Sequence, residues 1–133
     1  MLINDKFDSG VPIYLQMMHL IRRKIVSGEW PPGHRVPAVR ELALMFGVNP
    51  NTMQRALFEL EREGLLRSER TAGRFISENT ELIDTARRRL AEQILDDFIE
   101  QMTGLGFTGQ RITELVGREL ENRTCSEQKE EEE

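Results

Sequence analysis

Four hydrogen-bonding side chains fall within one five-residue stretch of the chain: Asn51, Thr52, Gln54 and Arg55. The apolar residues around them recur at i, i+3, i+4 and i+7, which predicts a helix with one buried face. These residues are Met53, Ala56, Leu57 and Leu60. The polar side chains then point outward near the start of the helix, and their amide, hydroxyl and guanidinium groups match base-pair edges in the major groove of DNA. An ordinary helical hairpin whose outer face is polar remains the alternative.

The start of this helix is marked by its sequence. Asn49 is suited to cap it, and Pro50 fits its first position, where a backbone amide would lack a partner in any case. Gly47 favours the left-handed conformation that ends a preceding helix. The apolar stripe of that preceding helix is Val39, Leu42, Ala43 and Phe46. Two short helices joined by a tight turn form a helix-turn-helix, which presents its second helix to a DNA groove.

A β-hairpin is predicted directly after the second helix. Gly64 ends the helix, and residues 65–68 and 74–77 read as two short strands joined by a turn at residues 69–73. A hairpin in this place is a wing, whose arginines could reach phosphates or a minor groove. These arginines are Arg67, Arg70 and Arg74. The alternative is a solvated hairpin with scattered arginines.

Further motifs in a fixed order indicate a family. A helix is predicted from Pro12 to Ser27, ended by Gly28. Its expected buried stripe is Ile13, Met17, Leu20, Ile21 and Ile25. Four motifs follow it: Gly28-Glu29-Trp30-Pro31-Pro32-Gly33, Val36-Pro37-Ala38-Val39-Arg40, Phe46-Gly47-Val48 and Glu63-Gly64-Leu65. Over about residues 10–77, this order resembles the N-terminal domain of the GntR family of bacterial transcription regulators. The resemblance implies a winged helix-turn-helix that binds DNA.

The resemblance also implies which residues contact DNA. Arg40 falls on the arginine of the family's Leu-Pro-Ser-x-Arg motif, which contacts DNA from the first helix of the pair. Asn51 and Thr52 fall where polar residues contact DNA from the second helix, and Gly73 falls on the second glycine of the wing motif. With the chemistry of the neighbouring residues, the candidate DNA-binding set is Arg35, Arg40, Asn51, Thr52, Gln54, Arg55, Gly73 and Arg74.

The chain departs from the family pattern at four positions. Ala38 replaces the usual serine and offers no side-chain cap to the following helix. Pro50 and Gln54 stand where many members have arginines that touch DNA, and Thr71 occupies the first wing glycine. The stretch Val-Asn-Pro-Asn-Thr is similar to the YtrA subfamily, in which this proline is normal. We therefore expect a base preference different from that of the arginine-bearing members.

Charge is distributed unevenly along the 133 residues. The net charge is −5, with a net of +2 over residues 1–78 and −7 over residues 79–133. Overall acidity would argue against a nucleic-acid partner if it were uniform, but the basic residues are concentrated in the half that carries the helix-turn-helix. Residues 125–133 are predicted to be an acidic, disordered tail.

Cys125 is the single cysteine; we expect it to be exposed and inert, and a redox-sensing thiol is the alternative.

The second half of the chain predicts two helices. A long one spans Glu81 to Met102, and Gly104-Leu105-Gly106 breaks it. Thr108 is suited to cap a second helix that runs to about Glu121. Their apolar residues are Ile83, Ala86, Leu90, Ile94, Phe98 and Met102 in the first, and Ile112, Leu115, Val116 and Leu120 in the second. So short a helical hairpin cannot cover all of its own apolar surface. A second copy of the chain could cover the remainder, which predicts a homodimer. YtrA-like members likewise have a brief helical dimerisation segment.

The expected fold is mainly α with a small β-hairpin wing. We assign a winged helix-turn-helix DNA-binding domain to residues 1–78, a helical dimerisation segment to residues 79–124 and the tail to residues 125–133. Neither His19 nor His34 lies in a metal-binding spacing, and no nucleophile motif or phosphate-binding glycine loop occurs, so no enzyme, metal or cofactor is expected. No membrane span or secretory signal is seen, and a cytoplasmic location is expected.

These patterns predict a sequence-specific DNA-binding protein, and the resemblance to the GntR family implies a bacterial transcriptional regulator. It would bind double-stranded operator DNA as a homodimer, with two-fold half-sites near one helical turn apart, and family resemblance implies a repressor. The alternative is a winged-helix module that dimerises and binds protein without specific DNA binding. Steep salt dependence of DNA binding would separate the two. The operator, the regulated genes and any small-molecule effector are not given by the sequence.

Overall fold

The computed structural model describes residues 10–132, and the side chains of residues 10–127. Over this part of the chain the backbone forms α1 (Ile13–Val26), α2 (Val39–Phe46), α3 (Pro50–Arg62), β1 (Leu66–Glu69), β2 (Gly73–Ile76), α4 (Thr80–Gly104) and α5 (Gly109–Glu132). The predicted class is confirmed: a winged helix-turn-helix followed by a helical part. The chain divides into two compact units, the first ending at Arg89 and the second beginning at Leu90.

The helix-turn-helix forms as the local sequence predicts. Gly47 ends α2 in the left-handed conformation, with φ 68° and ψ 37°. Asn49 caps α3, and Pro50 occupies the first position of that helix. The predicted stripe of α3 is confirmed, since all four residues are fully buried: Met53, Ala56, Leu57 and Leu60. In α2 only Leu42 and Ala43 of the predicted stripe are buried, whereas Val39 and Phe46 are partly exposed.

The prediction for α1 is confirmed for Met17, Ile21 and Ile25, but the buried face is rotated away from the other two predicted residues. Its buried residues are Met17, Met18, Ile21, Ile25 and Val26. Ile13 is about half exposed, at 49%, and Leu20 is only partly buried. Steps of four residues along a helix drift by about 40° each, because a turn holds 3.6 residues. The buried face therefore runs through Met17, Met18, Ile21 and Ile25, with Tyr14 half-buried on it, and leaves Ile13 and Leu20 to one side.

The wing is a two-stranded antiparallel sheet in which Leu66 pairs with Ile76 and Glu69 pairs with Gly73. The segment before α2 lies along the other edge of β2. There Val36 N donates to Arg74 O at 2.8 Å, and Ile76 N donates to His34 O at 2.8 Å. Arg35 forms an isolated bridge with Phe75. The chain on both sides of the helix-turn-helix thus meets in the wing.

The first unit extends past residue 78 to include the start of α4. Ile83 is buried in it, and Leu82 lies against Gly64 at the end of α3. Arg87 Nε donates to the carbonyl oxygen of Val26 at 2.7 Å. That carbonyl belongs to the last turn of α1, where intrahelical partners are lacking, so α4 caps α1.

In the second unit, the rest of α4 is followed by a turn and α5. Thr108 Oγ1 accepts a hydrogen bond from Arg111 N at 3.2 Å, so the predicted cap of α5 is confirmed. Among the described residues, α4 and α5 make little direct contact. Their apolar residues are mostly uncovered, with Ile94 56% and Leu120 59% exposed. We expected one stripe of each helix to pack against the other, and this packing is not observed.

The end of α5 also differs from expectation. The helix continues beyond Glu121 through residues 125–132, where the sequence predicted a disordered tail; residue 133 lies outside the described residues. Glu, Gln, Lys and Arg all have favourable helix propensity. The disorder prediction relied on the run of like charges and did not take this propensity into account. Arg123 also pairs with Glu119 one turn away, at 3.1 Å, which supports the helix upstream of the tail. Cys125 is a free, exposed thiol.

Candidate nucleic-acid interface

The first turns of α3 present polar groups from a capped helix end. The side chain of Asn49 accepts a hydrogen bond from Asn51 N at 2.8 Å, which satisfies one of the free donors of the first turn. At about 100° per residue, Asn51 and Arg55 project opposite the buried face of α3. Gln54 is exposed on one flank, and Thr52 is half-buried on the other. All four candidate residues of α3 therefore lie on or beside its outer surface.

Arg55 is held from outside α3 by an aromatic ring. Its guanidinium lies 3.7 Å from the centroid of the Tyr14 ring, in the first turn of α1. Arg55 itself is exposed, and within the described part of the chain no carboxylate pairs with it. The sequence did not mark Tyr14 as a site residue, because its pairing with Arg55 depends on how α1 packs on α3.

Arg35 and Gly73 lie together at the turn end of the wing, where Gly73 pairs with Glu69. Gly73 has φ 100°, and a Cβ atom there would lie 3.3 Å from Nε and 3.4 Å from Nη2 of Arg35. The guanidinium therefore passes directly over the backbone of Gly73. A glycine at this position allows both the positive φ and the close approach. The structure thus joins two candidate residues that the sequence had selected separately.

Arg74 is the candidate residue whose charge is already paired. Its Nε donates to Oε1 of Glu61 in α3 at 2.6 Å. The same carboxylate accepts a hydrogen bond from the hydroxyl of Ser68 in β1. One residue of α3 thus links to both strands of the wing, which favours a role for Arg74 in holding the wing. Glu61 was missed at the sequence level, since no local pattern connects it with the wing.

Two further exposed arginines have no ion pair or hydrogen bond from their side chains in the described structure. Arg40 is in the first turn of α2, where Ala38 provides no side-chain cap, as predicted. Arg70 lies in the wing turn and is absent from the candidate set, although its place in that turn was evident from the sequence. Arg67, by contrast, pairs with Glu69 and lies over the Phe75 ring, 5.0 Å from its centroid.

The remaining titratable groups suggest no chemistry of another kind. Partial burial, together with the nearby charges of Arg23 and Arg22, lowers the pKa of His19 below its usual 6.5. Among the side chains of residues 10–127, no three His, Cys, Asp or Glu groups lie close enough together to hold a metal ion. None of the described helices is both long and apolar enough to cross a membrane.

A capped helix with polar outer residues, set behind a tight turn and followed by a β-hairpin, defines a winged helix-turn-helix of the kind found in DNA-binding transcription regulators. Comparison with known proteins gives the same result. The sequence profile of the bacterial regulatory proteins of the gntR family matches residues 13–76. The chain belongs to this GntR family, which consists of regulators and not of enzymes.

Its relatives share more than the winged helix. The HTH-type transcriptional regulator YhcF of Bacillus subtilis is 39% identical over 114 residues, which cover 86% of this chain and 94% of the relative. The HTH-type transcriptional repressor YtrA of the same organism is 40% identical over 88 residues, or 65% of this chain and 68% of the relative. The resemblance to YtrA-like members is thereby confirmed.

A solved structure extends the similarity to the backbone. The GntR family transcriptional regulator from Listeria monocytogenes superposes with a TM-score of 0.76 at 36% identity. The match covers 84% of this chain and 98% of the other. The similarity therefore reaches beyond the winged helix into the helical part of the chain.

Proposed function

We propose that this regulator is a homodimeric repressor that binds a two-fold operator. The observation that carries the proposal is the outer surface of α3, where Asn51, Gln54 and Arg55 are exposed around a capped helix end. Recognition helices read base edges from this end. Because an asparagine or glutamine amide pairs well with adenine, and arginine with guanine, these residues are suited to direct readout.

The other candidate residues take complementary roles in the proposed complex. Thr52 contributes a hydroxyl on the flank of α3, and Arg40 contributes a phosphate contact from α2. Arg35, held over Gly73, contacts the DNA backbone beside the wing turn, and Arg70 does so from the turn itself. Phosphate contacts set position and affinity, whereas base contacts set the sequence. Arg74 supports the wing through Glu61.

Dimerisation is supported by the apolar surface that one chain leaves uncovered. Large side chains of α4 and α5 are exposed on helices that make little contact with each other. They include Ile94, Leu95, Ile99, Val116 and Leu120. A second copy carries the same helices, so an isologous interface can bury both sets at once. Such a dimer would present two copies of α3 to two half-sites.

Repression is the regulatory outcome that we propose. One relative is named as a transcriptional repressor and is 40% identical over 88 residues. A small dimer bound across a promoter can act by excluding the transcription machinery, which requires no activating surface. A reporter gene behind the selected operator should therefore fall in expression when the chain is produced. A rise in expression would instead indicate an activator.

Selection from randomised DNA tests the DNA-binding part of the proposal. We expect an enriched two-fold site with half-sites about one helical turn, or a multiple of it, apart. Arg40→Ala should weaken binding and lower the salt slope by about 1. Arg118→Ala, which removes an exposed charge from α5, is the matched control. No enrichment and no binding at low salt would contradict the proposal and favour a protein-binding module.

Sedimentation of the full chain tests the dimer. We expect a dimer for the wild type and a shift toward monomer for Ile94→Glu, because a charge buried in an apolar interface is costly. Leu44→Glu introduces the same charge at a residue of the first unit that is 84% exposed, and should leave the dimer intact. A monomeric wild type that still binds a two-fold site tightly would contradict this assembly.

A further inference from the structure

The stack between Tyr14 and Arg55 is the closest arginine–ring contact among the described residues, at 3.7 Å from guanidinium to ring centroid. It joins the first turn of α1 to the outer face of α3. Tyr14 is half-buried at the centre of the side of α1 that faces the core, and α1 packs along α3. The ring is thus partly buried on the α1 side of the contact, while the arginine that it touches is exposed.

The other arginines near α3 are held differently. Arg22, Arg62 and Arg74 each donate to a carboxylate: Glu63, Glu59 and Glu61, respectively. A carboxylate neutralises the charge and occupies the N–H donors of the guanidinium. An aromatic ring occupies only one face, so the in-plane donors and the full positive charge stay available. Arg55 is therefore restrained and yet free to donate.

We infer that Tyr14 is a positioning residue for DNA recognition, whose ring holds the Arg55 guanidinium ready for a base edge or a phosphate. The inference rests on the proposed function. An unrestrained arginine would have to be ordered when DNA binds, and that loss of freedom would weaken binding. The ring orders the side chain beforehand. Tyr14 contributes to affinity through Arg55 and needs no contact of its own with DNA.

A double-mutant cycle with the full chain and its selected operator tests this inference. Tyr14→Leu should weaken binding about two- to fivefold, the usual effect of losing a cation–π contact. Tyr14→Phe keeps the ring and should therefore retain most of the wild-type affinity. In an Arg55→Ala background, Tyr14→Leu should have no further effect. Leu15→Ala is the matched control, since it alters an exposed apolar neighbour on α1.

Two readouts separate positioning from a structural role. The salt slope should stay unchanged in Tyr14→Leu, because no charge is removed. In the free protein, NMR should show upfield ring-current shifts for the Arg55 δ-protons, and Tyr14→Leu should abolish them. Equal losses from Tyr14→Leu with and without Arg55 would overturn the inference. A loss from Tyr14→Phe as large as that from Tyr14→Leu would do so too, since it would indicate a hydroxyl contact.

Failure of the inference is distinguishable from failure of the proposed function. If the wild type binds its selected operator but shows no ring-current shift at Arg55, only the role of Tyr14 is overturned. If the shift is present but no DNA is selected or bound, the proposed function fails, and the role assigned to Tyr14 fails with it.

Discussion

Replacing Glu61 by alanine should loosen the contact between the wing and α3. The Glu61 carboxylate accepts from Arg74 Nε at 2.6 Å and from the Ser68 hydroxyl, so it links α3 to both strands. The substitution removes both acceptors at once. It leaves the guanidinium of Arg74, whose side chain is 18% exposed, without its carboxylate. We expect lower stability of the first unit and a more mobile wing.

The size of the effect follows from the partial burial of the pair. Fully exposed ion pairs contribute about 0–1 kcal/mol, whereas removing one partner of a buried pair costs about 3–5 kcal/mol. The Glu61 and Arg74 side chains are 22% and 18% exposed, which places them between these limits. We therefore expect a loss of about 1–2 kcal/mol. At roughly 4–8 °C per kcal/mol for a domain of this size, the Tm should fall by about 4–16 °C.

Calorimetry of the full chain measures this loss. The matched control is Glu59→Ala, on the same helix and with an arginine partner of its own. Arg62 lies 3.2 Å from Glu59 but is 67% exposed, and an exposed pair of this spacing contributes less than about 0.5 kcal/mol. The Tm of Glu59→Ala should therefore change little. Equal Tm losses in the two variants would refute the argument from burial.

DNA binding tests the role of Arg74 itself. If Arg74 supports the wing through Glu61, Arg74→Ala should weaken binding without changing the salt slope, and Glu61→Ala should weaken it similarly. The double variant should lose little more than either single one. If Arg74 contacts a phosphate instead, Arg74→Ala should lower the slope by about 1. That outcome would favour the original sequence prediction of a direct DNA contact.

Three further predictions concern base readout by α3, the wing and the pH dependence of stability. Gln54→Ala should alter preference at one base pair by about 1–3 kcal/mol; equal losses on operator and random DNA would contradict base readout. Gly73→Ala should cost about 1–3 kcal/mol of stability through its φ of 100° and should also weaken DNA binding by displacing Arg35. Gly28→Ala, with φ 85° and nothing within 4 Å of the added Cβ, should be strained but keep normal DNA affinity. Folding lowers the pKa of His19, so on acidification the unfolded chain is protonated at this residue before the folded chain is. The neutral His19 therefore contributes its full share of folding stability above about pH 6.5, and this share is lost as the pH falls. In thermal melts from about pH 7 to pH 5.5, His19→Gln should lose less stability than the wild type.

Much of the helix-turn-helix was predictable because its signals are local. The cap at Asn49, the proline after it and the left-handed Gly47 act within a few residues of each other. The apolar spacing of α3 is equally local, and all four predicted residues are buried. In α1 the same reasoning chose a stripe that was partly rotated, because several overlapping stripes satisfy the spacing. Packing on α3 selects among them.

The wing and the helical part contain features that could not be predicted from local sequence patterns. The wing strands were predicted, but the pairing of residues 34–36 with β2 was not, since it joins segments separated by the whole helix-turn-helix. In α5 the acidic run predicted disorder, whereas the helix continues through residues 125–132. Net charge there is a weaker guide than helix propensity. The expected packing of α4 against α5 also depended on tertiary structure.

The sequence alone determined the family, the fold class and the side chains that α3 presents. Periodicity, capping and turn chemistry operate over about one helical turn, so they can be read from the chain itself. Only the tertiary structure decided which group each of the candidate arginines contacts. Arg74 is paired with Glu61, Arg35 lies over Gly73, and Arg55 is stacked on a ring from α1. Ion pairs and stacks join residues that are distant in sequence, so folding alone brings their partners together.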